Sequence, residues 1–294
     1  MTTSSELRSG KGHRDENFPV ASALIARRHR AAILAFYEFV RVADDIADHP
    51  RLAASEKLDR LGALEATLLG VNDDESEGAK LRQILWSRGL SPQHAQDLLR
   101  AFRQDATKLR YRTWDELVDY CRYSAMPVGR FVLDVHGEAT SAWPANDALC
   151  AALQIINHIQ DCAKDYRDLD RVYIPLDALA ADGIGVEALA TSHASPALRN
   201  CLRGLTQRTA ALLAESRPFS DQIADMRLAM EVAAIQRLAE QLISVLLARD
   251  PLSERVHLRK AAMVMTGAGA ATHALLRRLF SKRIMPAAGE EALR

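Results

Sequence analysis

Residues 31–48 read AAILAFYEFVRVADDIAD. Apolar side chains recur every three or four positions, the period of a helix with one buried stripe, until the pattern ends in Asp44, Asp45 and Asp48. Asp44 and Asp48 are four residues apart and share a helix face. Like charges at that spacing cost a few tenths of a kcal/mol, on the order of 0.2–0.5, and carboxylates at a helix C-terminus also oppose the macrodipole. A compensating positive charge is required. Arg41, one turn earlier, can supply part of it, and so can a hard divalent cation such as Mg²⁺. Taken alone, the cluster reads equally well as a solvated helix end.

A second stretch, residues 154–165, reads QIINHIQDCAKD. Asn157, Asp161 and Asp165 recur every four positions, so three oxygen donors line one stripe of one helix. Mg²⁺ usually takes one or two protein carboxylates, keeps several waters and completes its shell with phosphate oxygens. Two facing acidic helices would therefore clamp a diphosphate through bridging metals. The plainer alternative pairs Asp161 with Lys164, and Asp165 with Arg167 or Arg171, as surface ion pairs. The coincidence with residues 44–48 favours the metal. Arg41, Lys164, Arg167 and Arg171 are the bases placed to meet phosphate oxygens, Arg41 and Arg171 foremost. Phe36, Tyr37, Phe39, Tyr120, Tyr123, Tyr166 and Tyr173 flank these motifs, and ring faces stabilise cations. Core packing accounts for most of them. Tyr37 stands apart because it lies two turns before Asp44 on the same face.

Outward from these stretches, helices are expected at 18–29, 54–69, 78–88, 91–108, 113–123, 127–137, 145–168, 196–214, 220–248 and 252–280. Residues 171–189 break the period and read as a loop closing over the preceding helix end. The fold class is all-α, in one domain over 17–280, with a flexible segment at 1–16 and a tail at 281–294. Hydrophobic residues are 48% of the chain and aromatics only 5%, a balance that suits stacked helices. Lys+Arg and Asp+Glu are 38 each, so there is no basic field to attract nucleic acid. Cys121, Cys150, Cys162 and Cys201 have no metal-finger spacing and are expected as reduced packing residues. With no apolar leader and no spanning run, a cytoplasmic protein is expected. The stretch 261–276 with basic Arg277, Arg278, Lys282 and Arg283 keeps open a peripheral contact with anionic membrane.

Tyr37-x₃-Arg41-x₂-Asp44-Asp45-x₂-Asp48, Tyr120-Cys121 with Val128-Gly129, Asn157-x₃-Asp161-x₃-Asp165 and Arg171-Val172-Tyr173-Ile174-Pro175 together resemble the squalene/phytoene synthase family over about residues 14–280. Residues 10–22 (GKGHRDENFPVAS), ADDIAD and NHIQDCAKDYRDLDRVYIP look most like its bacterial hydroxysqualene synthases. The resemblance implies a helical isoprenoid-synthase bundle around a central apolar cavity, with helix faces such as those of Ala21, Val40, Ala43, Leu133 and Ile156 facing it. It implies Asp44, Asp45, Asp48, Asn157, Asp161 and Asp165 as Mg²⁺ ligands. Tyr37 and Tyr120 would act beside the aspartates in catalysis, and Arg41, Arg171, Tyr173, Phe18, Ser22, Val128, Gly129 and Gln154 would bind substrate. The implied reaction is ionisation of presqualene diphosphate, rearrangement of a cyclopropylcarbinyl cation and capture by water, without NADPH, supplied by a partner presqualene diphosphate synthase. Gln160 departs from the arginine that squalene and phytoene synthases place there, and Glu16 and Asn17 replace their small or basic residues. Fewer positive contacts suit one bound diphosphate rather than two. A synthase condensing two prenyl diphosphates and a noncatalytic binding relative are the competing readings.

Overall fold

An amphipathic helix as long as residues 31–48 require must bury its stripe against other helices. In the computed structural model, which describes residues 24–254, 256, 258, 265–267 and 269–276, that helix is α1, Arg27–Ala47. No break separates residues 29 and 31. The run Arg27-Arg28-His29-Arg30 contains no Pro or Gly to stop a helix, so the two expected helices are one on the described side. Phe36 stacks on Phe131 at 3.9 Å and Phe39 is wholly buried, so both are core residues.

The chain continues through α2 (Ala54–Leu68), α3 (Ser76–Arg88), α4 (Gln93–Asp105), α5 (Trp114–Ser124), α6 (Met126–His136) and α7 (Trp143–Leu169). After α8 (Leu176–Ala181) come α9 (Pro196–Glu215), α10 (Phe219–Gln222) and α11 (Met226–Ala248). Local chemistry sets several ends. Thr113 caps α5 by accepting from the Glu116 amide, and Ser195 caps α9 in the same way. Glycines 89 and 137 end α3 and α6 in the left-handed conformation.

Two sequence expectations need correcting. The helix expected over 220–248 is interrupted, because Asp225 accepts from the amides of Arg227 and Leu228 and starts α11 afresh. The loop expected over 171–189 contains α8 and a 3₁₀ turn at Val186–Ala190, each too short to show a period but anchored by buried Leu179 and Leu189. Of the helix expected over 252–280, residues 265–267 and 269–276 are helical and the remaining described residues are not.

α1 packs against α2, α3, α4 and α6, whereas α7 packs against α5, α6, α9 and α11. The two acid-bearing helices thus share α6 as a neighbour but do not pack extensively on each other. That closeness of α6 to α7 depends on Gly129, where a Cβ would fall 1.9 Å from Asn146 Oδ1 and 2.7 Å from Cys150 Sγ. The four cysteines are free, and burial pushes the Cys150 and Cys162 thiols up to about 12, which suits inert packing residues.

Candidate active site

Along α1 the residues that are neither fully buried nor fully exposed include Tyr37, Val40, Arg41 and Asp44, and Asp48 at the C-cap continues the stripe. Along α7 they include Gln154, Asn157, Asp161 and Asp165. Half-buried stripes on two helices that do not pack extensively on each other, yet come together where Arg171 reaches Asp48, are placed to wall a cleft. Ala43, Leu133 and Ile156, expected to face a cavity, are instead enclosed with at most 1% exposure, so they are packed core; Val40 stays half-buried.

Arg41 binds both of its neighbours: Nη1 lies 2.9 Å from Asp44 Oδ2 and Nη2 2.6 Å from Asp45 Oδ1. The two aspartates then differ. Asp45 is buried, whereas the Asp44 side chain is 35% exposed. Even so, the Asp44 carboxyl is pushed up to about 8, first by lost solvation and then by Asp48, against the pull of Arg41. A group reachable by water yet stripped of bulk hydration lines an enclosed cleft rather than the outer surface.

Asp161 and Asp165 form no ion pair among the described residues, and Lys164 turns instead to Asp168 at 3.4 Å. The surface-pair alternative is therefore not realised. Burial, reinforced by Asp161, pushes the Asp165 carboxyl up to about 7, and Asp48 across the cleft adds to the effect. Arg171 ties the halves together, with Nη1 2.8 Å from Asp48 Oδ1 and Nη2 3.1 Å from the Asp105 carbonyl.

Arg171 reaches this position because Asp170 ends α7 at φ 50° and the next residues run beside 109–112. There the Val172 amide donates to the Leu109 carbonyl and the Leu176 amide to that of Tyr111. The same alignment seats Tyr173 against Asp105. Asp105 accepts from Tyr120 at 2.7 Å and from Tyr173 at 3.0 Å, and Tyr111 stacks on Tyr173. Burial pushes the Asp105 carboxyl up to about 6 although Arg171 opposes it, and raises both phenols well above their ordinary range. His158 stacks on Tyr173 at 3.5 Å, and burial, helped by Arg171, pushes it down to about 3, so it is neutral.

Asp105, Tyr111 and His158 were not singled out from the sequence. Asp105 carried a readable signal, since it continues the buried stripe of Leu98, Leu99 and Ala101 on α4, where a carboxylate needs partners. Tyr111 and His158 carried none, because only the path of residues 172–177 beside 109–112 places Tyr173 against both of them. Phe18, Ser22, Glu16, Asn17 and Ala21 lie outside the described residues, as do Arg277, Arg278, Lys282 and Arg283. Val128 is 41% exposed on α6, and Gly129 beside it serves the helix crossing. Gln160 is buried, donating from Nε2 to the Val256 carbonyl.

Among the described residues, no three of His, Cys, Asp and Glu are close enough to enclose a metal ion alone. The donors present nevertheless fit Mg²⁺ held by few protein ligands: all are hard oxygens, and burial, reinforced by mutual repulsion, leaves Asp44 and Asp165 short of positive charge. A cavity of about 560 Å³ lies elsewhere, between the α9–α10 turn, α11 and residues 265–274, lined by Arg217, Arg237, Glu240 and Met265. No described helix is long and apolar enough to cross a membrane.

The family model for squalene/phytoene synthase matches residues 12–262. The chain is 58% identical to a hydroxysqualene synthase of Rhodopseudomonas palustris, over 96% of this chain and 97% of that one. It is 53% identical to a hydroxysqualene synthase of Sinorhizobium fredii, again over 96% and 97%. A crystal structure of a squalene synthase from Alicyclobacillus acidocaldarius superposes with a TM-score of 0.67 at 29% identity, covering 82% of this chain and 90% of that one.

Proposed function

The chain belongs to the squalene/phytoene synthase family, and from that premise we propose that it converts presqualene diphosphate to hydroxysqualene in a Mg²⁺-dependent reaction. The observation that carries this reading is the pair of carboxylate stripes, on α1 and α7, linked across their cleft by Arg171. The choice of substrate rests on similarity over nearly the whole chain to hydroxysqualene synthases.

Asp44, Asp48, Asp161 and Asp165, with Asn157, are the ligands assigned to Mg²⁺. Asp45 is assigned instead to holding Arg41, since it is buried and bonded to that guanidinium. Mg²⁺ held by these residues would supply positive charge to a departing diphosphate. Arg41 and Arg171 would orient its oxygens, their own charges being fixed in place by Asp45, Asp48 and the Asp105 carbonyl. Tyr37, half-buried on the same stripe of α1, is assigned to the site of ionisation, where its ring face would stabilise the carbocation. Tyr120 and Tyr173 are held by Asp105 and keep their protons, so they wall the cleft without competing as nucleophiles.

Capture by water completes the reaction without a reductant such as NADPH. Substrate and product both carry long hydrocarbon chains, which supports work beside a presqualene diphosphate synthase and peripheral contact with a membrane through the basic C-terminal residues. Purified protein given Mg²⁺ and presqualene diphosphate, with no NADPH, is expected to yield hydroxysqualene by gas chromatography and mass spectrometry. Consumption of farnesyl diphosphate instead would identify a condensing synthase.

A further inference from the structure

The first turn of α1 reads Arg27-Arg28-His29-Arg30 and contains no acidic residue. Positive charge at a helix N-terminus opposes the macrodipole, so helix stability does not account for it. Arg27 and Arg28 are exposed, and the exposed Arg88 at the end of α3 donates to the Arg28 carbonyl, which brings a third arginine to the same place. Arg227, in the first turn of α11, reaches the Leu24 carbonyl and adds a fourth. The acids here are drawn in by backbone amides: Asp225 caps α11, and Glu138 accepts from the amides of Ala224 and Asp225. Arg28 lies 3.8 Å from Asp225, yet its side chain is 73% exposed. This end of the bundle is therefore basic although the chain as a whole has no net charge.

The same end carries an uncovered indole. α2 finishes at Leu68, and its last turn meets α3 at Gly78 and Arg82, where a Cβ on Gly78 would fall 3.1 Å from Thr67 and Arg82 donates to the Thr67 carbonyl at 2.6 Å. α3 runs on past that contact for more than a turn, and Trp86 there is 85% exposed. Arginines beside an exposed tryptophan suit the interfacial layer of an anionic bilayer, where guanidinium groups meet lipid phosphates and an amphipathic ring sits at headgroup depth. On α1 the half-buried stripe runs through Arg30, Leu34, Tyr37, Arg41 and Asp44, so the cleft wall leads from the carboxylates to this end, about 24 Å of helix from Asp44 back to Arg28.

We infer that the end of the bundle formed by the start of α1 and the end of α3 docks on anionic phospholipid, with Arg27, Arg28 and Arg88 at the phosphates and Trp86 in the headgroup layer. This surface is additional to the basic residues at 277–283, and only its link to substrate delivery rests on the hydroxysqualene reading. A substrate whose diphosphate is held at the carboxylates lays its hydrocarbon back along the α1 stripe, toward the docked end. An acidic protein face would also pair with the arginines, but it gives no reason for the cluster to lie where the hydrocarbon points.

The test is co-sedimentation of the full chain with vesicles of phosphatidylcholine, with or without added phosphatidylglycerol, in the absence of substrate. The wild-type chain should bind the anionic vesicles and not the neutral ones, and its tryptophan emission should shift to the blue, a shift lost in Trp86→Phe. Arg27→Gln should lower partitioning about fivefold, and Arg27→Gln with Arg28→Gln about 30-fold, with circular dichroism unchanged. Arg277→Gln with Arg278→Gln should leave the Trp86 shift in place. Failure of the wild-type chain to bind anionic vesicles overturns the inference, as does equal binding by the folded α1 variants, or a Trp86 shift that disappears only when Arg277 and Arg278 are replaced. Binding of a presqualene diphosphate synthase through these arginines, with vesicles ignored, would assign the face to a protein and overturn it too. Turnover of presqualene diphosphate in detergent micelles tests the functional reading by itself, and its failure would leave the vesicle result standing.

Discussion

Asp44 and Asp45 are sequence neighbours with the same charge and share one arginine, yet only Asp44 faces the cleft. The helix turns about 100° per residue, so one side chain is carried inward while the other stays at the wall. Asp44→Ala or Asp161→Ala is therefore expected to abolish turnover with helical content unchanged by circular dichroism, each removing a charge from a cleft and not from the core. Loss of helicity in both would contradict this placement. Asp105 acts differently, orienting Tyr120 and Tyr173 from beneath. Asp105→Asn keeps the shape but loses one strong acceptor. Turnover should fall by about 100-fold, the cost of a small misplacement of reacting groups, while the melting temperature changes little. A fall in melting temperature matching the fall in rate would make Asp105 a folding residue alone.

At the scale of elements, the cleft exists because α6 sits between α1 and α7 and approaches α7 closely at Gly129. Gly129→Ala would force its methyl into Asn146, a buried side chain whose Nδ2 donates to the Met126 carbonyl. Overpacking of this kind costs about 1–3 kcal/mol. Calorimetry should show the melting temperature lowered by several degrees, at about 2–4 °C per kcal/mol for a large domain. An unchanged transition would mean that the crossing relaxes freely. The segment after α7 is the second decisive element, since its alignment with residues 109–112 carries Arg171 across to Asp48.

For the whole molecule, the site holds carboxylates stripped of solvation and crowded by one another, a cost that a bound cation would relieve. Asp44, Asp105 and Asp165 have folded-state values raised above the unfolded carboxylate value near 4. The folded chain thus binds more protons than the unfolded chain between about pH 4 and 8. The stability these groups contribute is present below pH 4 and is lost as pH rises through about 6 to 8. His158, held near 3, acts oppositely at low pH, so the informative quantity is a difference between variants. Denaturation of metal-free protein should show Asp44→Asn gaining on wild type as pH rises from 5 to 8; a constant difference would refute the assignment. Mg²⁺ with inorganic pyrophosphate should raise the melting temperature of the wild type. Saturation at 100 times the dissociation constant adds about 2.7 kcal/mol, and Asp161→Asn should lose that gain.

The all-helical class, α1 and α7, and the acidic stripes at their ends were legible in the sequence because helical periodicity and four-residue spacing are local properties of the chain. Tertiary structure alone decided which carboxylates face the cleft, that Arg171 answers Asp48 from 123 residues away, and that Asp105, Tyr111 and His158 all gather around Tyr173. Those relations depend on helix crossing and on the path of the chain after α7, and no window of sequence contains both partners of such a contact.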